Sequence, residues 1–216
     1  MFLHEQSGLW FPDNEPRPQK MYDGLMKYIN DSDFLLTLTP KKARKRVCVQ
    51  AGGHIGLWPL KLAPHFSKVI TFEPDPLVYE ALKLNVEGKN IQAINGAVGE
   101  FSAYALLSWY SGRTGVSTMA SVKDEGDKHT DVAVYTIDEL EADVAAIVLD
   151  VEGYEPWVLR GARQTIERCR PLILCEMLAK SRDEITATLA GMNYLPVDNP
   201  LNLKCRDRLF AFEGRP

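Results

Sequence analysis

The chain has 216 residues, 45% hydrophobic and 25% charged, enough for one globular domain with a sizeable core. Its 25 basic and 29 acidic side chains leave a net charge of −4, which argues against general nucleic-acid binding. No run approaches the roughly 20 apolar residues of a membrane span and no signal peptide is visible, so a cytoplasmic setting is expected.

Residues 1–45 read as an N-terminal extension or cap, and residues 46–216 as the main domain. "LWFPDNEPRPQ" is rich in Pro and polar residues. "KMYDGLMKYIN" reads as a helix with Met21, Leu25 and Tyr28 on one face, suited to capping a sheet or covering a cleft. The basic run Lys41–Arg46 reads as a solvated loop. From there short apolar strands alternate with helices: strand "RVCVQ", helix "HIGLWPLKLAPHF", strand "KVITFE", helix "DPLVYEALKLNVE", strand "NIQAINGAV". "FSAYALLSWY" and "DVAVYT" read as extended segments flanking a long loop, Ser111–Lys128, expected to close over a pocket. "DVAAIVLD" is a strand, "EPWVLRGARQTIERC" one helix, "RPLILCEM" a strand, "SRDEITATLAGM" a helix and "RDRLFAF" a last strand. Apolar, non-alternating strands separated by helices predict an α/β fold with a mainly parallel sheet covered on both faces.

The stretch "VCVQAGGHIG" runs a buried strand into a glycine turn and then a helix. Gly52, Gly53 and Gly56 would let backbone approach a ligand, and the helix start offers free N–H groups. Glu73 ends the next strand, twenty residues after Gly53, where a carboxylate can take both hydroxyls of a ribose. The turn misses the dinucleotide pattern G-x-G-x-x-G by having Ala51 at its first position, so the glycines alone do not choose a cofactor. The cysteines Cys48, Cys169, Cys175 and Cys205 form no C-x-x-C pair, and no histidine spacing supports a metal.

Several stretches in order resemble the FkbM family of S-adenosylmethionine-dependent methyltransferases: Gln50–Gly56, "FEPDP" (Phe72–Pro76), "NGAVGE" (Asn95–Glu100), "TIDEL" (Thr136–Leu140), "LDVEGYEPWVLRGA" (Leu149–Ala162) and "RPLILCEM" (Arg170–Met177). The resemblance implies a Rossmann-like class I methyltransferase fold, a seven-stranded sheet parallel apart from its last strand. It implies a cofactor site for S-adenosyl-L-methionine. Gln50, Gly52, Gly53, His54 and Gly56 would hold the methionine part and Glu73, with Pro74 and Asp75, the ribose. Asn95, Gly96 and Ala97 would lie near the adenine, and Asp150 would face the amino group. The implied reaction is O-methylation of a small molecule or glycan. Where the family has Asp, this chain has Gln50, expected to approach Asp150 and leave it ionised against the ammonium.

Methyl transfer to a hydroxyl needs alignment and a proton acceptor. Glu152, Glu176 and His129 are the candidate bases, the last because its unperturbed pKa suits neutral pH. A non-catalytic cofactor-binding or glycan-binding module and an NAD-dependent oxidoreductase are the competing readings.

Overall fold

The computed structural model describes residues 3–6, 8–13, 15–31, 34–109, 117–119, 128–198 and 206–214. The chain opens with a hairpin of β1 (Leu3–Gln6) and β2 (Leu9–Pro12), then α1 (Pro18–Asp31) and α2 (Phe34–Leu38). There follow β3 (Val47–Ala51), α3 (Leu57–Leu62), β4 (Lys68–Glu73), α4 (Pro76–Asn85), β5 (Ile91–Asn95) and β6 (Ala97–Val98). Next come β7 (Ala103–Trp109), β8 (Ser117–Met119), β9 (Lys128–Tyr135) and β10 (Val144–Leu149). The chain ends with α5 (Glu155–Arg160), α6 (Arg163–Cys169), β11 (Leu172–Glu176), α7 (Arg182–Ala190), β12 (Tyr194–Pro196) and β13 (Asp207–Phe212).

Seven strands form one sheet in the order β12-β13-β11-β10-β3-β4-β5. Only β13 runs against the rest, pairing antiparallel with β11 and β12. This is the expected Rossmann-like methyltransferase sheet. Its runs are apolar throughout because both faces are buried. Cys48, Val69 and Leu174 pack on the side of α1–α4, while Val49, Ile70 and Ile173 pack on the side of α5–α7. Strand order reverses between β3 and β10, so their carboxyl ends open a crevice there. No helix among the described residues is long and apolar enough to cross a membrane.

The N-terminal segment packs on the sheet, with Phe11, Ile29 and Leu35 buried on the α1–α4 face. Other local features depart from the sequence reading. Residues 117–119 of the expected lid are a strand on β7, within a second sheet ordered β6-β9-β7-β8; Lys128 starts β9, and residues 111–116 and 120–127 lie outside the described residues. The basic run ends in Arg46, which is no solvated residue. It pairs with Asp143 at 2.7 Å and donates to the carbonyls of Val144 and Cys169.

The single helix expected from "EPWVLRGARQTIERC" is two, broken at Gly161. A Cβ there would stand 2.0 Å from the Gly99 carbonyl oxygen, so the break lets the chain pass against Gly99. The second piece, α6, starts on a borrowed cap. The Asp138 carboxylate accepts the Gln164 and Thr165 N–H groups at 3.1 and 2.7 Å. "TIDEL" and "LRGA" are thus two halves of one packing device. Asp138→Ala should lower stability by about 1–2 kcal/mol and Asp138→Asn by less, measured by chemical denaturation.

Candidate cofactor cleft

The crevice beyond β3, β4 and β10 is a cavity of about 230 Å³ with mostly apolar walls. Of the residues named from sequence, Gly52, His54, Glu73, Pro74, Gly96, Ala97, Asp150 and Glu152 line it. Gln50, Gly53, Gly56, Asp75, Asn95 and Glu176 do not.

Gly52 has φ +86, and a Cβ there would meet the Asp150 carbonyl oxygen at 1.8 Å. The turn must therefore carry glycine where it crosses the end of β10. Its other anchor is Glu73. One carboxylate oxygen accepts the His54 N–H at 2.8 Å and the other accepts the Asp75 N–H at 2.9 Å. Burial raises the Glu73 pKa from 4.5 to about 7, against the lowering effect of those two N–H groups. Each oxygen keeps a lone pair for a ligand hydroxyl.

The other named residues brace this arrangement. Asp75 caps α4, accepting the Leu77 and Val78 N–H groups. Asn95 donates to the Glu73 and Pro74 carbonyls at 2.9 and 3.4 Å.

Gln50 departs from expectation. Strand β3 continues to Ala51, so Gln50 lies opposite Val148, two residues short of Asp150. Its side chain is fully buried against β4 instead of facing the crevice. Its amide donates to the Ala51 and Gly52 carbonyls at 3.0 and 2.8 Å, and its carbonyl accepts the Thr71 hydroxyl. Gln50 shapes the turn from beneath through those bonds.

His54 lines the cavity at φ +47, and neither ring nitrogen has a hydrogen-bond partner among the described residues. Burial lowers its pKa to about 4, so the ring is neutral near pH 7 and unsuited to general base work there. An unpartnered imidazole on the wall is a polar contact left for a ligand.

Beyond β10 and β11 the wall is acidic. Asp150 is raised well above its ordinary pKa by burial and by Glu176, Asp207, Glu152 and Glu155. Expectation had it freely ionised. Glu176 sits behind the wall, 3.6 Å from Arg206 through one oxygen and with no partner for its other oxygen among the described residues; burial and the neighbouring carboxylates raise it to about 7. Glu155 organises the turn by accepting the Val151 and Gly153 N–H groups, both at 3.2 Å. Glu152, at φ +54, is held in the cavity by that turn. Among the described residues no group of three or more His, Cys, Asp or Glu is arranged to hold a metal ion. His129 lies in β9 opposite Ser108, and its side chain is outside the described residues.

Sequence reasoning missed two contributors. Tyr154 lines the cavity and stacks on Trp157, with ring centroids 4.8 Å apart. Glu155 is legible only as one acid among several in "DVEGYE". Met21 and Leu25 of α1 line the cavity, on the amphipathic face that the sequence pattern marks.

Residues 50–196 match the family described as Methyltransferase FkbM domain. Among solved structures the chain is similar to the methyltransferase FkbM from Methylobacillus flagellatus KT. Identity is 18% and the TM-score 0.54, over 78% of this chain and 44% of that one. The chain therefore spans less than half of that protein's length. It is also similar to an rRNA methylase from Streptococcus thermophilus, at 13% identity and TM-score 0.52, over 86% of this chain and 97% of that one. Likeness at these identities concerns the fold. No match is found among curated proteins.

Two outcomes follow from this geometry. Glu73 is more easily protonated in the folded chain than in the unfolded one, so its contribution to stability is full below about pH 4.5 and is lost as pH rises through about 7. Glu73→Gln, which cannot ionise, should gain on the wild type over that range by on the order of 2 kcal/mol, read from unfolding at a series of pH values. Gln50→Asp should cost roughly 1–3 kcal/mol of stability, because it removes two donations to turn carbonyls and sets a carboxylate beside them. Thermal unfolding and cofactor titration of that variant check this, and tighter binding would contradict it.

Proposed function

The chain belongs to the FkbM methyltransferase family, and on that premise we propose that it transfers a methyl group from S-adenosylmethionine to a hydroxyl of a small molecule or glycan. The observation that carries this reading is the pairing of Gly52 against the Asp150 carbonyl with Glu73 beneath the same turn. It gives a backbone-walled crevice with a ribose-binding carboxylate at one side and an acidic strand end at the other. The residues present suit the cofactor. Glu73 has lone pairs for a diol, Asp150 is an acid that an incoming ammonium would ionise, and Gly96–Val98 offer a flat apolar wall for an adenine. Bound there, S-adenosylmethionine supplies an electrophilic methyl group on a sulfonium.

The protein's part is alignment, exclusion of water and removal of the acceptor proton. Glu152 is the carboxylate assigned to that proton. It lies on the cavity wall, and burial and then Glu155 raise its pKa, which makes it a better proton acceptor than an exposed carboxylate. Lys180 and Arg206 lower its pKa in turn and keep it ionisable. Glu176, behind the wall, shares the cluster's protons.

Calorimetric titration with S-adenosylhomocysteine should show one site per chain. Glu73→Ala should weaken it about tenfold or more, the loss of charge-assisted bonds to a diol. In assays of labelled methyl transfer to a panel of hydroxylated acceptors, Glu152→Gln should cut kcat by about 10²–10⁴ while leaving S-adenosylhomocysteine affinity within threefold. Stabilisation by NAD in place of S-adenosylhomocysteine would overturn the reading.

A further inference from the structure

One side chain ties the N-terminal segment to the turn of the cleft. Asn85 is the last residue of α4 and is half-buried. Its Oδ1 accepts the Trp10 N–H at 2.7 Å, and its Nδ2 donates to the Trp10 carbonyl at 3.0 Å and the Ile55 carbonyl at 2.8 Å. The carboxamide uses its acceptor and both its donor hydrogens. Two bonds hold β2 much as a neighbouring strand would. The third holds the residue between His54 and Gly56.

Adjacent residues of the same turn are therefore held from both sides of α4. Glu73, at the end of β4 and bonded to the Asp75 cap, holds His54, and Asn85, the last residue of α4, holds Ile55. Downstream of β2, α1 lays Met21 and Leu25 on the cavity. We propose that Asn85 is a positioning residue that latches the segment β1 to α1 onto the cofactor turn, making that segment a lid whose docking and the filling of the cleft stabilise each other. This rests on the reading of the cleft as the S-adenosylmethionine site. Reciprocity follows from linkage: whatever frees the lid weakens the ligand, and the ligand in turn steadies the lid.

A comparison residue lies five positions on. Asn90 also donates to three carbonyls, those of Ala63, Phe66 and Ser67, at 3.0, 2.9 and 3.3 Å. None belongs to the lid or the cofactor turn, so Asn90→Leu reports the cost of losing a brace without losing the latch.

The test is hydrogen exchange and calorimetry on the full chain, with S-adenosylhomocysteine as probe. In Asn85→Leu the amides of β2 and α1 should exchange at least about tenfold faster, with β10 and β11 little changed, and the probe should bind about tenfold more weakly. In the wild type the probe should slow exchange in α1. Asn90→Leu should lower the melting temperature with probe affinity within about twofold. Should Asn85→Leu not fold, Asn85→Asp keeps the bond from Trp10 N–H and loses both donations, and the same changes should appear. Wild-type affinity in the Asn85 variant, or a loss no larger than that of Asn90→Leu, overturns the latch. A wild-type chain that ignores the probe overturns the functional reading instead; unchanged α1 exchange in ligand-free Asn85→Leu would then remove the latch on its own.

Discussion

The cleft depends on one buried carboxylate. Glu73 closes β4 and receives the N–H of His54 from the preceding turn and of Asp75 from the following one. Without it, two stretches of backbone would meet with unsatisfied donors, and burying those is costly. The requirement propagates outward. The turn held by Glu73 must cross the Asp150 carbonyl, so residue 52 must be glycine. The cap at Asp75 sets the start of α4, and the length of α4 sets where Asn85 reaches the turn from its far side.

The opposite wall is ordered by charge. Five carboxylates, Asp150, Glu152, Glu155, Glu176 and Asp207, gather at the ends of β10, β11 and β13. Burial raises the pKa values of Asp150, Glu152, Glu155 and Glu176, and repulsion by neighbouring carboxylates adds to it at Asp150, Glu152 and Glu176. Such a wall is better suited to receiving positive charge and protons than to holding a fixed negative charge. Glu155 stands apart within it, because two backbone N–H groups and the Ser181 hydroxyl commit it to the turn.

Much of this is legible in the sequence. Doubly buried strands read as apolar runs, and the strand-turn-helix at Val47–Leu57 with an acid at Glu73 located the cleft. The amphipathic face of "KMYDGLMKYIN" carried the hint that Met21 and Leu25 would cover something. The errors have physical causes. Gln50 reads as the strand end, but β3 runs one residue further, which keeps Gln50 inside the ladder between Val148 and Thr71. The break at Gly161 depends on a backbone contact with Gly99, some sixty residues away, which no local pattern encodes. The β1–β2 hairpin carries little sequence signal because its two four-residue strands are stabilised by packing on α4 and not by their own propensity.

The order of strands also bears on how the chain is made. β3 is central: it pairs with β4, which follows at once, and with β10, whose first residue comes almost a hundred positions later. During synthesis the second edge of β3 stays open until β10 is complete, a wait of roughly 5–20 s at ribosomal speeds. Over that interval Cys48 and Val49, fully buried in the finished protein, sit on a strand with one edge unpaired. The N-terminal segment is already available by then and can shelter one face of the young sheet through Phe11 and Ile29. A segment that lines the cleft in the finished protein can thus also shield the nascent chain against aggregation.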